Sequence, residues 1–132
     1  MDRRKQAIKL FLNDKYATET TGVVIEKVDN NYCKCSLEIE EKHLNTNGFV
    51  MGGAIFTLAD SAFGIAANTP VNNCVTLTGD VSFTRPTKGP KLYAEAKCVK
   101  DGRRICFFDV IVRDSEEKII ASFSMSGFRS DE

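Results

Sequence analysis

The spacing of apolar positions changes period along the chain, and each change marks an element. Residues 3 to 13 place Ile8, Leu10, Phe11 and Leu12 among Arg and Lys and close at Asn13-Asp14, which predicts a short docking helix. From Thr20 to Val28 and from Tyr32 to Ile39 apolar and polar residues alternate, with Asp29-Asn30-Asn31 between them as turn residues, so this stretch predicts a β-hairpin. Turn chemistry follows at Asn45 to Gly48. Gly52-Gly53 then opens a fifteen-residue run, AIFTLADSAFGIAAN, stopped by Asn68-Thr69-Pro70. That run is apolar almost all round, and a helix of this kind is buried on most faces.

Four β-like runs follow, Cys74 to Thr84, Lys91 to Lys100, Arg104 to Arg113 and Lys118 to Phe128. They are separated by Pro86-Thr87-Lys88-Gly89, by Asp101-Gly102, a strong hairpin signal, and by Asp114-Ser115-Glu116. Two strands, a buried helix and four successive antiparallel strands predict an α+β fold: one curved antiparallel sheet wrapped around one long central helix, with a short N-terminal helix added. No repeat, low-complexity tract or linker divides residues 1–132, which are expected to form one domain.

Composition narrows the function. Lys plus Arg equals Asp plus Glu at 18 each, so no net field draws nucleic acid or an anionic membrane, and a phosphate-bearing ligand needs a local patch. The five cysteines, Cys33, Cys35, Cys74, Cys98 and Cys106, include no C-x-x-C pair and read as reduced core or strand residues. Cys33 and Cys35 would share a strand face, but with a single His in the chain a metal site lacks ligands, and none is expected. The opening MDRRKQAIKLFLND is too polar for a secretory signal, and no run approaches a membrane span, so cytoplasm is the expected location.

The helix carries one ionisable group, Asp60, flanked by Leu58, Ala59, Ala62 and Phe63. Burying an unpaired carboxylate costs several kcal/mol, so something must justify it. Thr57, Asp60, Ser61 and Gly64 form a narrow polar stripe at helical spacing. Two readings fit: Asp60 bonds to backbone or a partner and fixes register, or desolvation raises its pKa and makes it a general base or nucleophile facing a cleft. Gly52-Gly53 likewise reads as a tight turn, or as the free amides of a helix N-terminus, placed to stabilise a developing oxyanion.

The stretch NTNGFVMGGAIFTLADSAFG, Asn45 to Gly64, resembles the signature of the PaaI-like hotdog thioesterases: an Asn, a Gly three on, a His-Gly-Gly and an Asp on the helix, without a gap. DVSFTRPTKGPKLYAEAKCVKDGRRICFFDVIV and IIASFSMSGFR look like the family's closing strands, so the resemblance covers nearly all of the chain after the first helix. It implies that Asp60 is the catalytic acid, that the Gly52 amide polarises the thioester carbonyl, that Asn45 lies near the sulfur and that Thr76 helps hold the water. It also implies a site between two subunits, Asp60 from one and Asn45 and Gly52 from the other. Met51 departs from the pattern, standing where the family usually has the His of His-Gly-Gly, and a thioether cannot titrate.

The resemblance thus implies an acyl-CoA thioesterase with coenzyme A as part of its substrate and no separate cofactor. Gly53, Met51 and Ser61 are candidate substrate contacts. Arg85 and Lys88, with Lys91 nearby, and Arg103 and Arg104 are candidates for the coenzyme A phosphates. A homodimer or homotetramer is expected, with neither nucleic acid nor membrane as partner. A serine hydrolase is disfavoured, since one His, His43, and no G-x-S-x-G elbow are present. The rival reading is a non-catalytic acyl-CoA-binding or sensing module, which Met51 favours and Asp60 opposes; a hotdog dehydratase would want the missing His. Phe49, Phe56, Phe63 and Phe83 are shared between core and acyl-pocket readings.

Overall fold

The computed structural model describes residues 2–130. Helix α1 spans Arg3–Phe11, and Asp2 caps it by accepting from the Arg4 amide at 3.0 Å. Phe11 is buried, while Leu10 is 49% exposed. Here the alternation misled: in place of a strand from Thr20, the chain forms a π turn over Tyr16–Thr21, and strand β1 (Val24–Asp29) starts later. The threonines favour a strand, but tertiary contacts override them. Ala17 and Thr21 are buried, and Gly22 ends the turn at φ 99°, a left-handed conformation that glycine adopts freely. The buried His43 ring donates from Nε2 to the Thr21 carbonyl at 2.7 Å, while its Nδ1 accepts from the Glu40 amide at 2.9 Å.

β1 and β2 (Tyr32–Glu38) form the expected hairpin, with Asn31 at φ 52° in the turn. A 3-10 turn at Glu41–His43 and the loop at Asn45–Gly48 lead into α2 (Gly52–Ala67). Then come β3 (Cys74–Phe83), β4 (Lys91–Asp101), β5 (Ile105–Asp114) and β6 (Ile119–Arg129). All neighbours are antiparallel in the order β1-β2-β4-β5-β6-β3. The last four strands are therefore not consecutive neighbours: β3 pairs with β6, not β4. Between them, Thr87 is buried and its carbonyl accepts from Val50 at 2.8 Å, so the segment runs across the end of the sheet instead of turning back.

α2 buries Ile55, Leu58, Ala59, Ala62, Phe63, Ala66 and Ala67, a helical face that packs chiefly on β2 and β4. The small Ala94 and Ala96 on β4 are fully buried in that layer, while Phe63 packs edge-on against Phe108 with ring centroids 5.3 Å apart. The cysteines are free strand residues; the sulfurs of Cys33 and Cys35 lie 3.6 Å apart, as do those of Cys74 and Cys106. At the far end of α2, Arg129 donates to the Ala67 carbonyl at 2.6 Å and pairs with Asp101 at 2.9 Å. The edge strand β3 is exposed along most of its length, with Val75 at 64% and Leu77 at 51%. No helix among the described residues is long and apolar enough to cross a membrane.

Candidate active site

With its apolar face against the sheet, α2 turns Thr57, Asp60, Ser61 and Gly64 the other way. Most of the helix surface is covered, as its composition suggested: seven residues are buried, and only Gly53 and Asp60 are exposed in the single chain. Asp60 is partly shielded by the N-terminal segment. Between that segment and α2 runs a groove of about 940 Å³, with Asp60, Phe56 and Ile65 on the helix side and Leu10, Asp14 and Tyr16 across from them. Desolvation in the groove raises the Asp60 pKa above the ordinary carboxylate value; a hydrogen bond from Thr76 opposes this, and the Asp14 charge adds to it.

Thr76 reaches the carboxylate from β3, its Oγ1 donating to Asp60 Oδ1 at 3.3 Å. The hydroxyls of Thr57 and Ser61 donate to helix carbonyls instead, to Gly53 at 3.0 Å and Thr57 at 2.7 Å, so only their lone pairs face the groove.

Gly52 and Gly53 are the first residues of α2, and neither has a positive φ, so the backbone is not the tight turn that one reading of the pair required. The Met51 carbonyl accepts from Ala54 at 3.0 Å and Ile55 at 3.2 Å, and the Gly52 and Gly53 amides have no acceptor among the described residues. A side chain at Gly52 would start 3.1 Å from the Phe83 ring. Asn45 Oδ1 accepts from the amides of Asn47 at 2.9 Å and Phe49 at 3.1 Å, which leaves Nδ2 as its free donor. Met51, 58% exposed, caps α2 without a side-chain hydrogen bond, and its amide donates to the His43 carbonyl at 2.8 Å. His43 is thus a structural tie.

Gly52 and Asp60 lie eight residues apart on one helix, about 12 Å along its axis, and none of Asn45, Met51, Gly52 or Gly53 lines the Asp60 groove. One chain holds the carboxylate and the amide donors in two separate places.

Residues 47–121 match the model of the thioesterase superfamily. The chain belongs to that superfamily. Among relatives of this thioesterase, the acyl-coenzyme A thioesterase PaaI of Escherichia coli is 27% identical over 90% of this chain and 85% of its own. The E. coli PaaI structure superposes with a TM-score of 0.88, covering 97% of this chain and 94% of that one at 22% identity, so the fold is the hotdog fold. A variant of the phenylacetic acid degradation protein PaaI from Thermus thermophilus gives a TM-score of 0.81 at 29% identity over 86% of this chain and 97% of that one. A Streptococcus mutans protein solved with acetyl-CoA bound gives 0.76 at 26% identity, covering 82% and 88%.

The basic residues of the thioesterase do not form one cluster within a chain. Arg85 and Lys88 follow β3 at the end of the sheet where β4 begins, and Lys88 lies 5.1 Å from the Phe49 ring centroid. Arg103 and Arg104 are at the opposite end, past Asp101, and the length of β4 between the sets is about 33 Å. Of the four phenylalanines, Phe63 is core, Phe56 lines the groove, Phe49 is half-buried and Phe83 is 52% exposed beside Gly52. Sequence reasoning missed the N-terminal wall. Its one signal was that Leu10, on the exposed side of a short helix, and Tyr16, just after it, are apolar residues without a core position.

Proposed function

We propose that this thioesterase hydrolyses acyl-CoA to free acid and coenzyme A at a site completed by a second copy of the chain. The observation that carries the reading is Asp60: a carboxylate of raised pKa, in a groove, hydrogen-bonded to a hydroxyl on the neighbouring strand. Acting as a base, Asp60 takes a proton from a water held with Thr76, and the hydroxide attacks the thioester carbonyl. The oxyanion that forms is met by the Gly52 amide and the N-terminal dipole of α2 from the partner copy, with Gly53 alongside. Collapse of the intermediate breaks the C–S bond. The thiolate leaves beside the Asn45 Nδ2 donor and takes up the proton held by Asp60. In the nucleophilic variant Asp60 attacks directly, and water hydrolyses the mixed anhydride.

The separation of Gly52 from Asp60 along α2 supports the two-copy arrangement, because no single thioester carbonyl spans about 12 Å. The same pairing offers a way for Arg85 and Lys88 of one copy to serve a phosphate chain together with Arg103 and Arg104 of another. None of these steps calls for a metal or redox cofactor. The acetyl-CoA bound by the S. mutans relative supports coenzyme A as the carrier.

Met51 favours a second reading, an acyl-CoA-binding module without turnover. Thiol release from phenylacetyl-, hydroxyphenylacetyl-, benzoyl- and straight-chain acyl-CoAs, measured for wild type and Asp60→Ala, decides between them. Turnover by wild type that Asp60→Ala loses by about 10²–10⁴-fold supports hydrolysis. Tight acyl-CoA binding by both proteins with no turnover by either sinks it.

A further inference from the structure

Gly64 is the glycine in the body of α2, beyond its first turn, that packing does not explain. It lies within the helix, one turn beyond Asp60 on the same side, with a φ outside the left-handed region. A side chain built there would meet nothing within 4 Å. Gly53, in the first turn of α2, and Gly48, at positive φ in the loop before it, are open too, whereas at Gly127 an added Cβ would lie 2.4 Å from the Cys74 sulfur and at Gly79 2.9 Å from the Phe56 ring. Glycine inside a helix is less stable than alanine, because the unfolded chain loses more freedom. Neither the backbone conformation nor the chain's own neighbours call for glycine at this position.

What glycine adds there is room. Gly64 lines the groove that holds Asp60, about 6 Å further along the helix axis, so the groove floor at that turn is bare backbone. Ile65 flanks it on α2, and Leu10 and Tyr16 lie on the facing wall, so the space offers apolar surface beside the polar Ser61 and Asn68. An acetyl group reacting at Asp60 would stop short of this turn.

We propose that the substrate's acyl group runs from Asp60 over Gly64, and that Gly64 sets a preference for acyl groups long or bulky enough to fill the space, ring-bearing or of medium chain length. This rests on the reading of Asp60 as the site of thioester hydrolysis. Gly64 acts by leaving space, so its test is one of selectivity.

The experiment compares wild type with Gly64→Ala and Gly64→Leu on acetyl-, hexanoyl- and phenylacetyl-CoA, together with calorimetric binding of the matching non-hydrolysable thioethers. Gly64→Ala is expected to melt about 3–5 °C higher than wild type, since it gains helix propensity without a clash. Its kcat/KM ratio for phenylacetyl or hexanoyl over acetyl should fall about tenfold or more, and further in Gly64→Leu, with the thioether affinities falling in the same order. The acyl group showing the larger fall identifies ring or chain as the natural fit. Ratios that stay unmoved in an active, folded variant overturn the assignment. So does a Gly64→Ala protein that melts lower or dissociates, because the space then belongs to the backbone of a second copy. If wild type turns over no acyl-CoA, the hydrolysis reading falls by itself, and the thioether ratios still decide whether the groove holds the acyl group.

Discussion

A carboxylate whose pKa rises on folding ties stability to pH, and Asp60 fixes the sign. The folded chain binds its proton more readily than the unfolded chain does, so the contribution of Asp60 is favourable in acid and lost as pH rises through the carboxylate range. Asp60→Asn is therefore expected to melt above wild type at neutral pH, with the gap closing below about pH 4, where both states are protonated. Melting curves from acid to neutral pH check this. Thr76 supplies the interaction that lowers the same pKa, so Thr76→Val should move the acid limb of the kcat/KM profile to higher pH while Thr76→Ser leaves it in place. An unmoved limb in Thr76→Val would separate Thr76 from the chemistry. Asp60 was legible in the sequence as the one charge in an apolar helix. Thr76 came only from family resemblance, and Asp14 gave no sign at all, since nothing local links a residue before the first strand to one on α2.

The elements obeyed their periodicity where one side of a segment decided its fate. α2 and the later strands fall within a residue or two of where their patterning put them, because each buries one regular face. The π turn at Tyr16–Thr21 was illegible because its local preference points to a strand, and one bond that anchors it comes from His43, far along the chain. At the other end of α2, Arg129 does what the helix sequence does not: no basic residue stands in the last turn, and the guanidinium reaches in from β6 to the Ala67 carbonyl. Its side chain is only 11% exposed, so Arg129→Met should cost about 1–3 kcal/mol by leaving that carbonyl without its donor. Urea unfolding at neutral pH measures it; a loss well under that range would show that water replaces the arginine.

For the whole molecule, the incomplete feature is the β3 edge. Ten residues of strand with one side unpaired, carrying exposed valine and leucine, offer a ready template for another chain. If the site is shared between two copies as proposed, Val75→Lys combined with Leu77→Lys should yield a monomer in sedimentation and abolish thiol release. An active monomer would disprove the shared site. The sequence could not reveal this edge, since the pairing of β3 with β6 depends on the course of the segment that follows β3.

The close pairs of strand sulfurs have a practical consequence at the bench. Burial comes first among the causes that push the Cys74 thiol up to about 12, and Cys35 and Cys98 also lie above the ordinary thiol range, so these groups hold little thiolate at neutral pH. An aromatic disulfide reagent should therefore colour slowly with the native protein and report the released coenzyme A nearly alone. Added denaturant should then bring out all five cysteines at once, making the same reagent a titration of folding.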